Sequence, residues 1–416
     1  MVVSARVDDP RTFDLTDLDN YAGGFPHAVF TRARRECPVY WHPPTRHTPD
    51  GEGFWVVTRH ADVLRVLRDP ATFSSETGGS RPYGGTLIQD LPLAGIVLNM
   101  MDDPRHQRIR RLVSVGFTPR MIGRLERELR RRTRAILEPV VAAGECDLVV
   151  DVARELPLQA IAMLMGVPQD DRGRLCEWVD ITNDLVDRTL NEVTDESRAA
   201  GASLQEYGAA LIEERRRCPA DDMISAVIGA TLPDEEPSQL TEPELRAFFS
   251  LLFTAGSETT RKAIAGGVLA LMEQPDEMAR LRGDPSLVAT TVDEMVRWTS
   301  PSVYKRRTAT REVVLGGETV RGGEKVTLWE MSADRDETVF AEPFRFDAGR
   351  DPNPHVGFGH GAHFCLGANL ARLEIRIVLE ELLDHVSVIE PAGEPVWTRS
   401  NRLFGLRNLP VRVSAT

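Results

Sequence analysis

The sequence predicts a mainly α protein with a minor β part. Three observations carry that prediction. One long helical signal runs from Thr241 to Gln274. Amphipathic helical stretches fill residues 155 to 230, and a heavily basic helical pattern runs from Pro104 to about Ala142. After Pro301 the texture changes to short β-type runs separated by Gly-Gly pairs.

Each element has a local reason. Thr241 and Glu244 form a T-x-x-E capping box that opens the long helix, and Pro275 closes it. At 1.5 Å per residue that helix spans about 50 Å. Its centre, FFSLLFTAGSETT, is apolar enough to be buried. The basic pattern breaks at Thr118-Pro119, and a further helix covers about Asp284 to Trp298. Gly316-Gly317 and Gly322-Gly323 mark tight turns between strands. Helix returns from Leu366 to His385, and short strands follow from Val386. The β-containing segments are roughly 38–60, 301–330 and 386–416. The stretch from Gly78 to Gly95, rich in glycine and proline, reads as a long functional loop. With no internal repeat or low-complexity block, residues 1–416 read as one domain.

Composition bounds the function. The 416 residues are 42% hydrophobic and 27% charged, ordinary values for a globular protein. They exclude a disordered chain, a collagen and a coiled-coil rod. A net charge of -13 argues against a nucleic-acid binder, which needs clustered positive charge. The opening MVVSARVDDPRTFDLTD has no apolar signal-peptide core, and no stretch of about 18 apolar residues suggests a membrane span. The five cysteines are scattered without a C-x-x-C pair, so a reduced, cytoplasmic protein is expected.

The most informative stretch is GFGHGAHFCLGANLAR, starting at Gly357. Its glycines allow a tight backbone path beside a bulky partner. Cys365 stands just before a helix, where free N–H groups and the helix dipole favour a thiolate, a good soft metal ligand. A buried turn cysteine is the bland reading. A zinc site on His360, His363 and Cys365 crowds its ligands into too few residues.

The pattern F-G-x-G-x-H-x-C-x-G, carried by Phe358, Gly359, Gly361, His363, Cys365 and Gly367, resembles the haem-binding loop of the cytochrome P-450 monooxygenases. Other motifs follow in that family's order. Glu294 and Arg297 give E-x-x-R, two residues on one helix face that can pair. The resemblance makes them a structural network, with Arg345 as its third member. Ala255-Gly256-Ser257-Glu258-Thr259-Thr260 resembles the family's oxygen-binding stretch, about 110 residues before the cysteine. Small residues at Ala255 and Gly256 leave room for a diatomic ligand, and an acid beside a hydroxyl can relay protons. A weakened, kinked helix is the competing reading of the same residues. The resemblance spans about Asp17 to Val413 and is closest to the soluble bacterial members. It departs at Asp334, in MSADRD, where asparagine is usual; little effect is expected.

The resemblance implies a single triangular domain with a long central helix over thiolate-ligated haem b. Cys365 is the iron ligand. His106 and Arg110 hold one propionate, Arg307 the other, with His363 beside the thiolate and His355 a further candidate. Phe358 shields the sulfur. Thr259 hydrogen-bonds dioxygen at the iron, and Glu258 helps deliver protons. The pocket walls implied are Ile96, Val97, Leu98, Phe253, Val303, Leu403 and Phe404. They suit a mostly apolar substrate such as a steroid, terpenoid or fatty acid. Lys305 and Arg402 either meet a substrate carboxylate or face solvent. No flavin or nicotinamide site is visible, so electrons are expected from a separate ferredoxin and its reductase. Arg105, Arg108, Arg111, Arg372 and Arg376 are expected to form the docking patch. The alternatives are oxidation, coupling or rearrangement of an aromatic, peptide or polyketide intermediate, use of peroxide, and a non-catalytic haem-binding protein.

Overall fold

The long helix organises the molecule. In the computed structural model, which describes residues 9–78, 81–183 and 194–416, it runs unbroken from Glu242 to Glu273. The Thr241–Glu244 capping box is formed at its start. Its second half is buried almost all round, from Lys262 to Ala265 and from Gly267 to Leu271. The helices Glu155–Leu164, Asp195–Arg217, Val288–Thr299 and Ala368–His385 pack around it. Two close approaches set the spacing. A Cβ on Gly267 would meet Met295 Cε at 2.2 Å, and one on Gly208 would meet Phe249 Cδ1 at 2.5 Å.

The basic segment divides as expected. A helix Arg105–Val113 leads through a single 3-10 turn into Pro119–Ala143, and Thr118 caps the second helix by accepting from Met121 N. The helix expected from Asp284 begins later, at Val288, because Pro285 first forms a 3-10 turn. The helix after the cysteine begins at Ala368 rather than Leu366, with Gly367 as its N-cap.

The β part is concentrated in one five-stranded sheet. Its order is Val39–His42, Phe54–Val57, Lys325–Trp329, Tyr304–Ala309 and Phe73–Ser74. Only the Phe54–Val57 and Lys325–Trp329 pair is parallel. A second sheet joins Glu145–Asp147, Pro410–Ala415 and Val386–Pro391. Gly316-Gly317 turns a true hairpin, Val313–Leu315 on Glu318–Val320. Gly322-Gly323 instead sends the chain into another sheet, where Lys325–Trp329 pairs with Tyr304–Ala309. The strands Phe73–Ser74 and Glu145–Asp147 are too short to leave a period-2 signal. No helix among the described residues is long and apolar enough to cross a membrane.

Candidate active site

The cysteine loop is built by backbone economy. Gly359 and Gly361 both take φ near +70°, and a Cβ on Gly361 would sit 2.5 Å from Leu67 O. Cys365 N donates to Phe358 O at 2.8 Å, closing the loop ahead of the helix. Phe358 lies beneath the Arg372 guanidinium, 4.6 Å from its ring, and beside Phe364 and His355.

Cys365 is crowded by protein yet keeps an exposed face. Burial raises its thiol pKa, and the Gly367 N–H with the charges of Lys305, Arg110 and Arg372 only partly offsets this. The net shift is upward, against the expectation from the helix terminus alone. Desolvation of a thiolate outweighs one N–H and three distant cations here. A metal ion reverses that balance, since a coordinating thiol is deprotonated outright.

Around the cysteine stands a cluster of basic side chains. His106 is buried, its Nδ1 lies 3.1 Å from Asp103, and its Nε2 has no hydrogen-bond partner. Its ring packs 4.1 Å from that of His363. His363 Nε2 pairs with Ser75 Oγ at 3.1 Å. Burial, with Arg307, His106, Arg110 and Lys305 nearby, holds the His363 pKa down to about 2. Arg110 Nη2 donates to Phe364 O at 2.5 Å. Arg307 is buried, and among the described residues its side chain hydrogen-bonds only to the carbonyl of Arg306, at 2.9 Å. Burial lowers its pKa to about 10 despite Glu330 and Asp102. A buried guanidinium, an orphaned imidazole nitrogen and further cations facing a soft sulfur fit a dianionic iron porphyrin. His355 does not join this group. Its Nε2 lies 3.5 Å from Asp293 and its Nδ1 accepts from Gly357 N, which turns the ring toward Phe358.

The network behind the loop corrects one assignment. Arg297 binds Glu294 bidentately, at 2.7 and 2.6 Å, and both side chains are fully buried. The second guanidinium on Glu294 is Arg350, at 3.1 Å, not Arg345. Arg345 is half-exposed and pairs with Glu277 and Glu342, while its carbonyl accepts from Arg350. Asp334 is also more than a silent departure. Buried completely, it accepts from Ser300 Oγ at 2.8 Å and from Val356 N at 2.7 Å, tying the network to the start of the loop.

On the long helix, Ala255 is exposed at mid-span and Thr259 Oγ1 donates to its carbonyl at 3.0 Å. Gly256 serves helix packing, because a Cβ there would lie 2.4 Å from Ile161 Cδ1. Glu258 is buried and ion-paired with Lys262, at 2.9 Å, and with Arg261. In this arrangement its carboxylate is engaged on its own helix rather than free beside Thr259.

The expected pocket wall divides. Phe253, Val303 and Phe404 are nearly inaccessible: Phe253 packs on Phe249, and Phe404 stacks on Trp397. Leu98 belongs to the main core. These four are core, since a wall residue keeps surface toward the space it lines. Val97 and Leu403 are half-buried, and Ile96 is exposed. Pairing of Ser302 with Leu403, and of Val303 N with Arg402 O at 2.9 Å, brings two of the expected wall segments side by side.

The basic docking patch is not present as expected. Arg108 is buried, donates to Pro237 O and Gln239 O, and pairs with Glu244. Arg105 meets Glu76, Arg111 meets Glu235, Arg372 meets Asp293, and Arg376 meets Glu126 and Glu380. Carboxylates from distant segments neutralise a run that is basic in sequence.

Comparison with known proteins gives the family. The family model for Cytochrome P450 matches residues 24–415. The protein named "Putative cytochrome P450 126" of Mycobacterium tuberculosis (strain ATCC 25618 / H37Rv) is 56% identical over 406 residues, covering 96% of this chain and 97% of that one. The Methyl-branched lipid omega-hydroxylase of the same strain is 40% identical over 400 residues, covering 92% and 90%. Among solved structures, Mycobacterium marinum cytochrome P450 CYP268A2 in complex with pseudoionone superposes with a TM-score of 0.86 at 36% identity, covering 96% and 98%.

Proposed function

The chain belongs to the cytochrome P450 family, and on that premise we propose that it oxidises a lipophilic, isoprenoid-type or branched lipid with electrons from a separate ferredoxin. It is an oxygen-incorporating oxidoreductase whose cofactor is haem b, bound through a cysteine thiolate. The haem, when bound, supplies the activation of dioxygen.

The chain's own residues do the rest. Cys365 would hold the iron through its thiolate, with the Gly367 N–H on its sulfur. Arg307 and Arg110 would hold the propionates as charge-assisted partners, with His106 and His363 as hydrogen-bonding imidazoles beside them. Thr259, whose hydroxyl donates to Ala255 O, would be the hydroxyl that holds and passes a proton on the substrate side of the haem. Glu258 must loosen its pairing with Lys262 before it can pass a proton to Thr259. Phe358 and Arg372 cover the sulfur side and exclude water.

The observation that carries the assignment is the convergence of Cys365 with the buried Arg307 and the half-buried Arg110, neither of which has a carboxylate partner among the described residues. The lipid reading draws on the half-buried apolar residues Val97 and Leu403 and on the similarity to a methyl-branched lipid omega-hydroxylase and to an enzyme solved with pseudoionone. The arginines flanking the cysteine are largely neutralised, so the electron donor is expected to dock with little long-range steering. The test is a Soret titration of the ferric holoenzyme with fatty acids, terpenoids, steroids and aromatic polyketides. It is followed by turnover with ferredoxin and reductase against turnover with peroxide alone. A saturable shift with one lipid class and oxygen-dependent turnover are expected. A shift only with aromatic polyketides, or turnover with peroxide alone, overturns the reading.

A further inference from the structure

Burial lowers the pKa of seven arginines, and six of them have hydrogen-bond acceptors. Arg34 has Glu337, Arg306 has Asp90, Arg335 the carbonyls of Arg297 and Trp298, and Arg172 that of Val167. Arg110 and Arg307 belong to the cofactor cluster. The seventh is Arg402, half-buried by surface area, whose guanidinium has neither a hydrogen-bond nor an ion-pair partner among the described residues. The Tyr304 phenol, itself accepting from Ile88 N, is the titratable neighbour that acts on its charge among the described residues.

Its place in the fold is fixed. Arg402 sits on the turn that pairs with residues 301–303. Its carbonyl accepts from Val303 N, and its N–H donates to Ser400 Oγ at 3.2 Å. Asn401 is anchored to Leu15 O at 2.9 Å, and Thr398 N donates to Gly405 O at 2.9 Å, so the turn is held at both ends. The other basic candidate here, Lys305, is already spent on the buried Glu330. A half-buried guanidinium on a turn held by its backbone, with no anion of its own among the described residues, is costly to desolvate further unless something external pairs with it.

Building on the lipid reading above, we propose that Arg402 is a specificity-determining residue that binds the carboxylate of an acidic lipid substrate. The substrate class is then a lipophilic carboxylic acid rather than a neutral terpene or sterol. Arg402 clamps the acid group with a planar fork of donors and leaves the apolar chain to the walls that Val97 and Leu403 contribute.

The test compares haem-loaded wild type, Arg402→Gln and Arg402→Lys, titrated with hexadecanoic acid, methyl hexadecanoate and cholest-4-en-3-one. Binding is read by the Soret shift and independently by calorimetry, with haem content and circular dichroism confirming that each variant is folded. Wild type is expected to bind the acid about tenfold or more tightly than the ester. Arg402→Gln is expected to erase that preference by weakening the acid alone, and Arg402→Lys to restore part of it. Equal affinity of wild type for acid and ester overturns the assignment while leaving the lipid reading intact, as does equal weakening of both by Arg402→Gln. Failure of all three lipids to bind overturns the lipid reading itself, and this proposal with it.

Discussion

Glu294 shows how a single buried carboxylate concentrates dependence on its partners. It receives two bonds from Arg297 and one from Arg350, together with Asp347 N at 3.0 Å and Asn353 Nδ2 at 3.2 Å. Removing one partner of such a buried ion pair costs about 3–5 kcal/mol, because the remaining charge stays desolvated. Arg350→Ala is therefore expected to lower the denaturation midpoint sharply and to reduce haem retention. Arg345→Ala, at a half-exposed site, should shift stability by less than about 0.5 kcal/mol. Equal effects of the two, measured by urea unfolding of the holoproteins, would contradict the assignment to Arg350. The sequence placed Glu294 and Arg297 correctly on one helix face. It could not choose between two arginines five positions apart, because that choice depends on the tertiary path of residues 334–356. At the oxygen side, Thr259→Val removes a hydroxyl while keeping the side chain's shape. Product formed per reductant consumed is expected to fall about tenfold or more, with substrate affinity unchanged. Unaltered coupling would remove Thr259 from proton delivery.

Between elements, the loop expected from Gly78 to Gly95 is fastened to the sheet by charge. Arg81 Nη2 meets Glu52 at 2.6 Å and Asp90 at 2.5 Å, Arg306 meets Asp90 at 2.6 Å, and Lys325 meets Asp50 and Glu52 at 3.1 Å each. These contacts have no local sequence signal, since their partners lie as far apart as Asp90 and Lys325. Burial opposes ionisation of Asp90, but the Arg81 hydrogen bond and the charges of Arg306 and Lys325 outweigh it, so its pKa is lowered. Glu52 behaves likewise, with Arg81 and Lys325 overcoming its burial. A lowered folded pKa means that the folded state binds fewer protons than the unfolded one. The resulting stability is complete above the unfolded values, about pH 4, and is lost as pH falls through the lower folded ones. Asp90→Asn should imitate that loss at neutral pH. Amide exchange of the peptide covering residues 81–91 is expected to quicken by about tenfold, while the long helix keeps its protection. Wild-type exchange in the variant loop would show that the ion pairs do not hold it.

Across the whole molecule, legibility followed the physics of each signal. The long helix was readable because its capping box and apolar centre are local. The cysteine loop was readable because its glycines answer to backbone geometry, as Gly361 against Leu67 O shows. The charge pattern misled, since Arg108 and its neighbours are neutralised by carboxylates from segments far away in the chain. The same distinction governs stability. Segments distant in sequence supply His106, Arg110, Arg307 and His363 to one cluster, and among the described residues neither Arg110, Arg307 nor His363 forms an ion pair there. The desolvated guanidiniums of Arg110 and Arg307 oppose folding, and binding a dianionic cofactor would turn that cost into binding energy. A ligand present at about a thousand times its dissociation constant adds about 4 kcal/mol to stability. Haem removal is therefore expected to lower the melting temperature by about 5 °C or more, the shift per kcal/mol being small for a chain of this length. Arg307→Gln should narrow the gap from both sides. It weakens haem binding in the holoprotein, and it relieves repulsion in the protein stripped of haem. Differential scanning calorimetry of the four samples decides it. A gap that Arg307→Gln leaves unchanged would mean that the cluster contributes nothing to the coupling between cofactor and fold.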